Sequence, residues 1–265
     1  MDTLYATSAD GTRVGCEVTG EGPALLAIHG STAERHRWEA VRDALAQRFR
    51  LHLMDRRGRG LSADENGGNY SLEREAEDIR ALVEAIGGPV LVLSHSYGGA
   101  ASLEAATACP GIARMLVYEP ALSTDAGELN PEGAVAQVEA AGADRDAILT
   151  IFYSRMLQID DAAIEAMRST PLWKHRRTAA HTLARELRAS NEYVADPARL
   201  STIGAPVRIL LGTATTPALT RAAHASHHAV PGAELVELPG HGHAAMDADP
   251  VMFVAQVEDW LLPAT

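Results

Sequence analysis

The sequence predicts an α/β domain built on a mostly parallel sheet, on three observations. Short apolar runs recur along its 265 residues, as strands buried on both faces require. Stretches with apolar residues three and four apart lie between those runs, the spacing of amphipathic helices. Alternation of the two kinds of segment implies crossover connections and parallel pairing.

The elements follow in order. Thr3–Ser8 and Thr12–Val18 flank Asp10-Gly11, a hairpin turn pair, and are expected to form an antiparallel edge. Six more strands are predicted at Ala24–Ile28, Leu51–Met54, Pro89–Leu93, Arg114–Tyr118, Val207–Leu211 and Glu234–Leu238. Helical spacing covers Trp38–Gln47, Ser71–Ile86, Tyr97–Ala108 and Pro250–Leu262. Glu73 and Glu75 fall in the first turn after Ser71, where the helix dipole favours acids. His224, His227 and His228 fall on a further helix, after Val207–Leu211, and are expected at the surface.

One region breaks the alternation. Between about residues 123 and 202 there are helices but no convincing strand: Pro131–Ala140, Asp144–Leu157, Asp160–Arg168 and Leu172–Ala189. Ligands of open α/β sheets bind at the carboxyl ends of the strands. The block 122–202 is therefore expected to be a helical cap over that edge, with 1–121 and 203–265 forming the core domain. A run of extra packing helices is the alternative.

Composition bounds the function. Hydrophobic residues make up 46% and charged residues 22%, enough apolar material for a core that needs neither disulfide nor metal. The net charge of −12 counts against a nucleic-acid partner and against an anionic membrane surface. Lys174 is the only lysine among the basic residues, a bias that points to a GC-rich genome. Cys16 and Cys109 read as two inert thiols in a reducing compartment. Met1-Asp2-Thr3 opens without a basic or apolar leader, and no window has the apolar run of a membrane span, so a cytoplasmic location is expected. No dinucleotide or Walker motif appears, and no cofactor is expected. A small-molecule substrate is expected; the oligomeric state is open between monomer and homodimer.

The most informative segment is Val90-Leu91-Val92-Leu93-Ser94-His95-Ser96-Tyr97-Gly98-Gly99. An apolar strand runs into small-x-Ser-x-Gly and then into an Ala-rich helix, the context of a nucleophile elbow. Residues two before and two after the serine must be small, because strand and helix approach closely there. Gly98 meets that demand, and Ser94 meets it approximately. Ser96 is the expected nucleophile. The N–H of Tyr97, in the first helical turn, would be free to meet an oxyanion.

Four segments in register resemble the α/β-hydrolase superfamily across nearly the whole chain. His29-Gly30 is similar to its oxyanion loop, and Asp55-Arg56-Arg57-Gly58-Arg59-Gly60-Leu61-Ser62 to its D-x-R-G-x-G-x-S segment. Leu93–Gly99 resembles its elbow, and Leu238-Pro239-Gly240-His241-Gly242-His243 its histidine loop. The resemblance implies an eight-stranded α/β-hydrolase fold with a lid after the sixth strand. It implies the Ser31 N–H as the second oxyanion donor, Trp38 near the pocket or under the cap, and His243, over His241, as the base. It also makes Asp55–Ser62 a structural turn; taken alone, the arginines and glycines suggest a phosphate loop. His29 and His95 are expected to pack beside the site.

The acid is displaced. In most of the family it is an Asp after the strand equivalent to Val207–Leu211, but Gly212-Thr213-Ala214-Thr215-Thr216-Pro217 contains no carboxylate. Glu119 ends the preceding strand, a position that some relatives, such as certain haloalkane dehalogenases, use for the acid. It is expected to hold the histidine tautomer and stabilise the imidazolium. Asp125 is the weaker substitute; a strand-end Glu paired with an arginine is the structural alternative.

A Ser at the elbow points to acyl transfer, with water as acceptor. The expected reaction is hydrolysis of a carboxylic ester, lactone or thioester of a small to medium apolar substrate. Phe152, Tyr153, Met156 and Trp173 of the insert are expected in the pocket, with Leu157, Met167 and Leu172 as further candidates. A cofactor-free cyclase, lyase or acyltransferase, a binding protein with a retained triad, and a purely structural homologue are the competing readings.

Overall fold

Eight strands pair in the order β1-β2-β4-β3-β5-β6-β7-β8 in a computed structural model that describes residues 2–63, 67–124 and 129–262. They are β1 (Asp2–Thr7), β2 (Arg13–Thr19), β3 (Ala24–Ile28), β4 (Arg50–Asp55), β5 (Val90–His95), β6 (Ile112–Tyr118), β7 (Val207–Gly212) and β8 (Glu234–Leu238). β1 and β2 form the antiparallel edge, β2 also pairs antiparallel with β4, and every other pairing is parallel.

The period-two pattern of the central strands divides their side chains between two cores. Leu26, Ile28, Val90 and Val92 point to one face, and Leu25, Ala27 and Leu93 to the other. Helices α1 (Glu39–Ala46), α2 (Leu72–Ile86) and α3 (Tyr97–Ala106) cover these faces in the first half of the chain. Ser71 caps α2 by accepting the Arg74 N–H.

Among the described residues, six α-helices lie between β6 and β7: α4 (Ala134–Ala140), α5 (Arg145–Ile151), α6 (Asp161–Arg168), α7 (Pro171–Ala179), α8 (Leu183–Glu192) and α9 (Pro197–Leu200). The first five share a small core of their own, including Val138, Leu149, Phe152, Tyr153, Ile164, Trp173 and Leu183, whereas Leu200 of α9 packs into the core beside the sheet. The chain enters and leaves at one place, where the Ala195 N–H donates to the Ser123 carbonyl at 2.8 Å. Two helices are more broken than the spacing predicts. Leu172–Ala189 is interrupted by a 3-10 turn, Ala180–Thr182, where the Thr182 hydroxyl bonds back to the Ala179 carbonyl and turns the axis. Asp144–Leu157 ends in a π-helical turn, Phe152–Met156. After β7 come α10 (Pro217–Ala229), α11 (Ala245–Ala248) and α12 (Pro250–Leu261).

The arginine-rich turn after β4 bolts these helices to the sheet. Arg56, fully buried, donates to both oxygens of Glu75 (3.0 and 2.7 Å) and lies 3.6 Å from the Glu186 carboxylate of α8. Arg59 pairs with Glu186 and donates to Thr182 at 2.8 Å. Arg57 is held by Asp78 and Asp10. Every guanidinium of the turn is consumed in a buried ion pair, so none is free for a phosphate.

No described helix is long and apolar enough to cross a membrane.

Candidate active site

Close packing of backbones builds the elbow. Ser96 follows β5 directly and adopts φ +56°, ψ −124°, a strained conformation for a residue with a side chain. A Cβ on Gly98 would lie 2.3 Å from the His29 carbonyl oxygen, and one on Gly30 would lie 2.8 Å from the Ser96 Cβ. Only glycine lets helix α3 and the loop after β3 come this close. Ser94 is accommodated because its hydroxyl bonds Ser102 of α3 at 2.7 Å.

Among the described residues, four other than glycine have positive φ: Thr32, Ser96, Glu119 and Gln158. Three of them belong to the loops after β3, β5 and β6. Such strain persists where surrounding structure enforces it, and it gathers at functional sites.

Glu119 is fully buried at the end of β6. Its N–H extends the ladder to Leu210 of β7, and its φ of +45° then turns the chain. The carboxylate takes three hydrogen bonds. The Gly212 N–H donates to Oε1 at 2.8 Å, the Thr215 hydroxyl to Oε2 at 2.9 Å, and His243 Nδ1 to Oε2 at 2.5 Å. No arginine pairs with it among the described residues. Asp125 lies outside the described residues.

The loop carrying His243 is pinned from below. The Tyr118 hydroxyl donates to the Gly242 carbonyl and accepts the Ala245 N–H at 3.2 Å. His95 Nε2 donates to the His243 carbonyl at 3.0 Å, and the two rings lie 4.4 Å apart. Burial first, then the proximity of His243 and Arg37, pushes the His95 pKa well below the usual imidazole range. His95 therefore stays neutral and adds no competing charge beside His243. His241 contributes its carbonyl to the Ala214 N–H.

Ser96 and His243 face one cavity of about 250 Å³, walled by Phe152, Tyr153, Leu157 and Leu172 from the inserted helices. A smaller lobe of about 50 Å³ shares Ser31 with it and adds Tyr97, Met156 and Leu187. The Ser96 hydroxyl makes no hydrogen bond among the described residues. A serine–histidine contact is often long before substrate enters and shortens afterwards. Tyr97 is the first residue of α3, where the N–H has no acceptor one turn back, and Ser31 borders the same lobe.

Three expected pocket residues are not on this wall. His29 is fully buried; its Nδ1 donates to the Gly30 carbonyl at 2.8 Å and its Nε2 accepts the Arg56 N–H at 3.2 Å, so both nitrogens are spent on shaping the loop. Trp38 points into the core under the sheet, with Leu25, Leu51 and Phe253. Trp173 packs inside the inserted helices, stacked on Tyr153 and donating to Asp146 at 2.7 Å. Polar residues not anticipated from sequence do line the cavity: Arg37, Arg176 and Asp247. One described group could offer three ligand atoms to a cation, all within 4.8 Å: Glu34, His36 and His175. The Glu34 Oε1 already meets both imidazoles, and the group is not on the Ser96 cavity wall.

Comparison with known proteins agrees with this architecture. The family model described as "Alpha/beta hydrolase family" matches residues 25–257. The chain belongs to that family. The crystal structure of an α/β-hydrolase from Sphaerobacter thermophilus is 28% identical, with a TM-score of 0.78 over 94% of this chain and 99% of that one. The esterase RhEst1 from Rhodococcus sp. is 23% identical, with a TM-score of 0.77 over 98% of both chains. The enol-lactonase from Burkholderia xenovorans is 22% identical, with a TM-score of 0.76 over 98% of this chain and all of that one.

Proposed function

We propose that the protein is a serine hydrolase that cleaves a carboxylic ester, or the related bond of a lactone or thioester, through an acyl-serine. The observation that carries this reading is the 2.5 Å contact of His243 Nδ1 with the buried Glu119 carboxylate, opposite an elbow that presents Ser96 to the same cavity. Glu119 fixes His243 in the tautomer whose Nε2 is free to take the Ser96 proton. Ser96 Oγ then attacks the acyl carbon, and the N–H groups of Tyr97 and Ser31 meet the oxyanion. His243 returns the proton to the leaving group, then activates water for deacylation. A cavity of about 250 Å³ sits below the ~300–1,000 Å³ typical of drug-sized ligands, which favours a small substrate. The esterase and lactonase neighbours support the same reaction class.

The test is labelling with a fluorophosphonate probe, together with turnover of 4-nitrophenyl esters of graded acyl length. Labelling and turnover of short esters are expected in the native protein and lost in Ser96→Ala. A folded native protein that neither labels nor turns over any ester is a binder or a different enzyme.

A further inference from the structure

The cavity carries a charge that ester hydrolysis does not use. Arg37 and Asp247 face it as a closed pair, with Arg37 donating to both carboxylate oxygens at 2.9 and 2.8 Å. Arg176, from α7, faces it with no carboxylate partner among the described residues. It donates one hydrogen bond to the Thr32 hydroxyl at 3.1 Å and lies 5.5 Å from the centre of the Tyr153 ring. Its Nε is buried and has no acceptor, as is the Tyr153 hydroxyl on the same wall. Two arginines against one aspartate leave one positive charge unmatched among these three lining side chains, and burial holds His95 neutral beside them. A buried guanidinium keeps its charge, and a buried charge without a counter-ion is costly. A bound anion beside the Arg176 guanidinium would remove that cost.

We propose that the substrate carries a carboxylate, and that Arg176 binds it while Ser96 attacks the ester elsewhere in the same molecule. This rests on the serine-hydrolase reading above and names the substrate class: small half-esters or related acyl compounds with a free carboxylate. The apolar side chains of Phe152, Leu157 and Leu172 would enclose the short chain between the two groups. Arg37 does not offer the same charge, because Asp247 already neutralises it through Nη1 while Nη2 is turned to the Met246 sulfur.

The experiment compares 4-nitrophenyl butyrate with 4-nitrophenyl hemisuccinate, which differ by a terminal methyl against a carboxylate. The native protein is expected to favour the hemisuccinate by tenfold or more in kcat/KM. Arg176→Gln is expected to lower that ratio by at least tenfold, with Arg176→Lys recovering part of it. A purely structural arginine would slow both esters alike and leave the ratio unmoved, which overturns the proposal. A calorimetric titration of the native protein with glutarate against glutaramide reads the anion site without any turnover. Tighter binding of glutarate is expected, and equal binding overturns the proposal even if Arg176 variants do not fold. Fluorophosphonate labelling that persists in that case leaves the hydrolase reading standing; absent labelling with glutarate bound removes that reading alone.

Discussion

The strand ends and the inserted helices are built by different means, although they face each other across one cavity. At the strand ends, backbone meets backbone: Gly98 lies against the His29 carbonyl, and Glu119 continues a β-ladder before it turns. Such positions admit few residue types and little movement. In the inserted helices, side chains set the wall through a small separate core and a few buried ion pairs. In the proposed mechanism, the first construction fixes the reacting groups and the second shapes the space a substrate would enter.

The sharpest way to break this contrast is to disturb the chemistry without the scaffold. Glu119→Gln removes the charge facing His243 and is expected to lower kcat by about 10⁴-fold, by analogy with loss of a triad acid elsewhere. Steady-state kinetics with a circular-dichroism control checks it, and near-native activity would rule out Glu119 as the acid. Next comes the bolt between the two regions. Glu186→Ala leaves Arg56 and Arg59 buried without one of their anions and is expected to cost about 3–5 kcal/mol in urea denaturation.

A smaller effect should appear with acid. Burial, then Arg50, lowers the pKa of His52 to about 4, so the native state holds it neutral. The unfolded chain takes up that proton near the ordinary value of 6.5. Stability from this group is therefore complete above pH 6.5 and declines as the pH falls toward 4. His29 and His95 are shifted in the same direction by burial. His52→Gln should shrink the stability lost between pH 7 and 4.5 by on the order of 1–3 kcal/mol. The smallest effect belongs to the surface: Glu77→Gln, which weakens the half-exposed pair with Arg74 one turn away, should change stability by less than about 0.5 kcal/mol.

The contrast also explains what could be read from the sequence. Strands, elbow and histidine loop were legible because backbone constraint leaves a residue-type signature, as at Gly98 and in the parallel-strand runs. The missing carboxylate after β7 was legible too, and it directed attention to Glu119. The cavity wall was not, because the direction a side chain takes depends on packing partners far away in the chain. Trp38 and Arg37 are neighbours in one 3-10 turn, Arg35–Trp38. The tryptophan faces the core and the arginine the cavity, where its partner Asp247 lies 210 residues away. Arg176 gave one faint signal: it follows Leu172 by one helical turn, and both reach the cavity.

With Glu119 as the proposed acid, housing the carboxylate at the end of β6 also relieves the turn after β7 of supplying it. That turn needs only a backbone N–H from Gly212 and a hydroxyl from Thr215 to steady Glu119. Its next residue, Thr216, borders both lobes of the cavity. Under the proposed mechanism this gives an adjustable rim beside a fixed engine, where a single side-chain exchange would retune selectivity while the proton path is left alone.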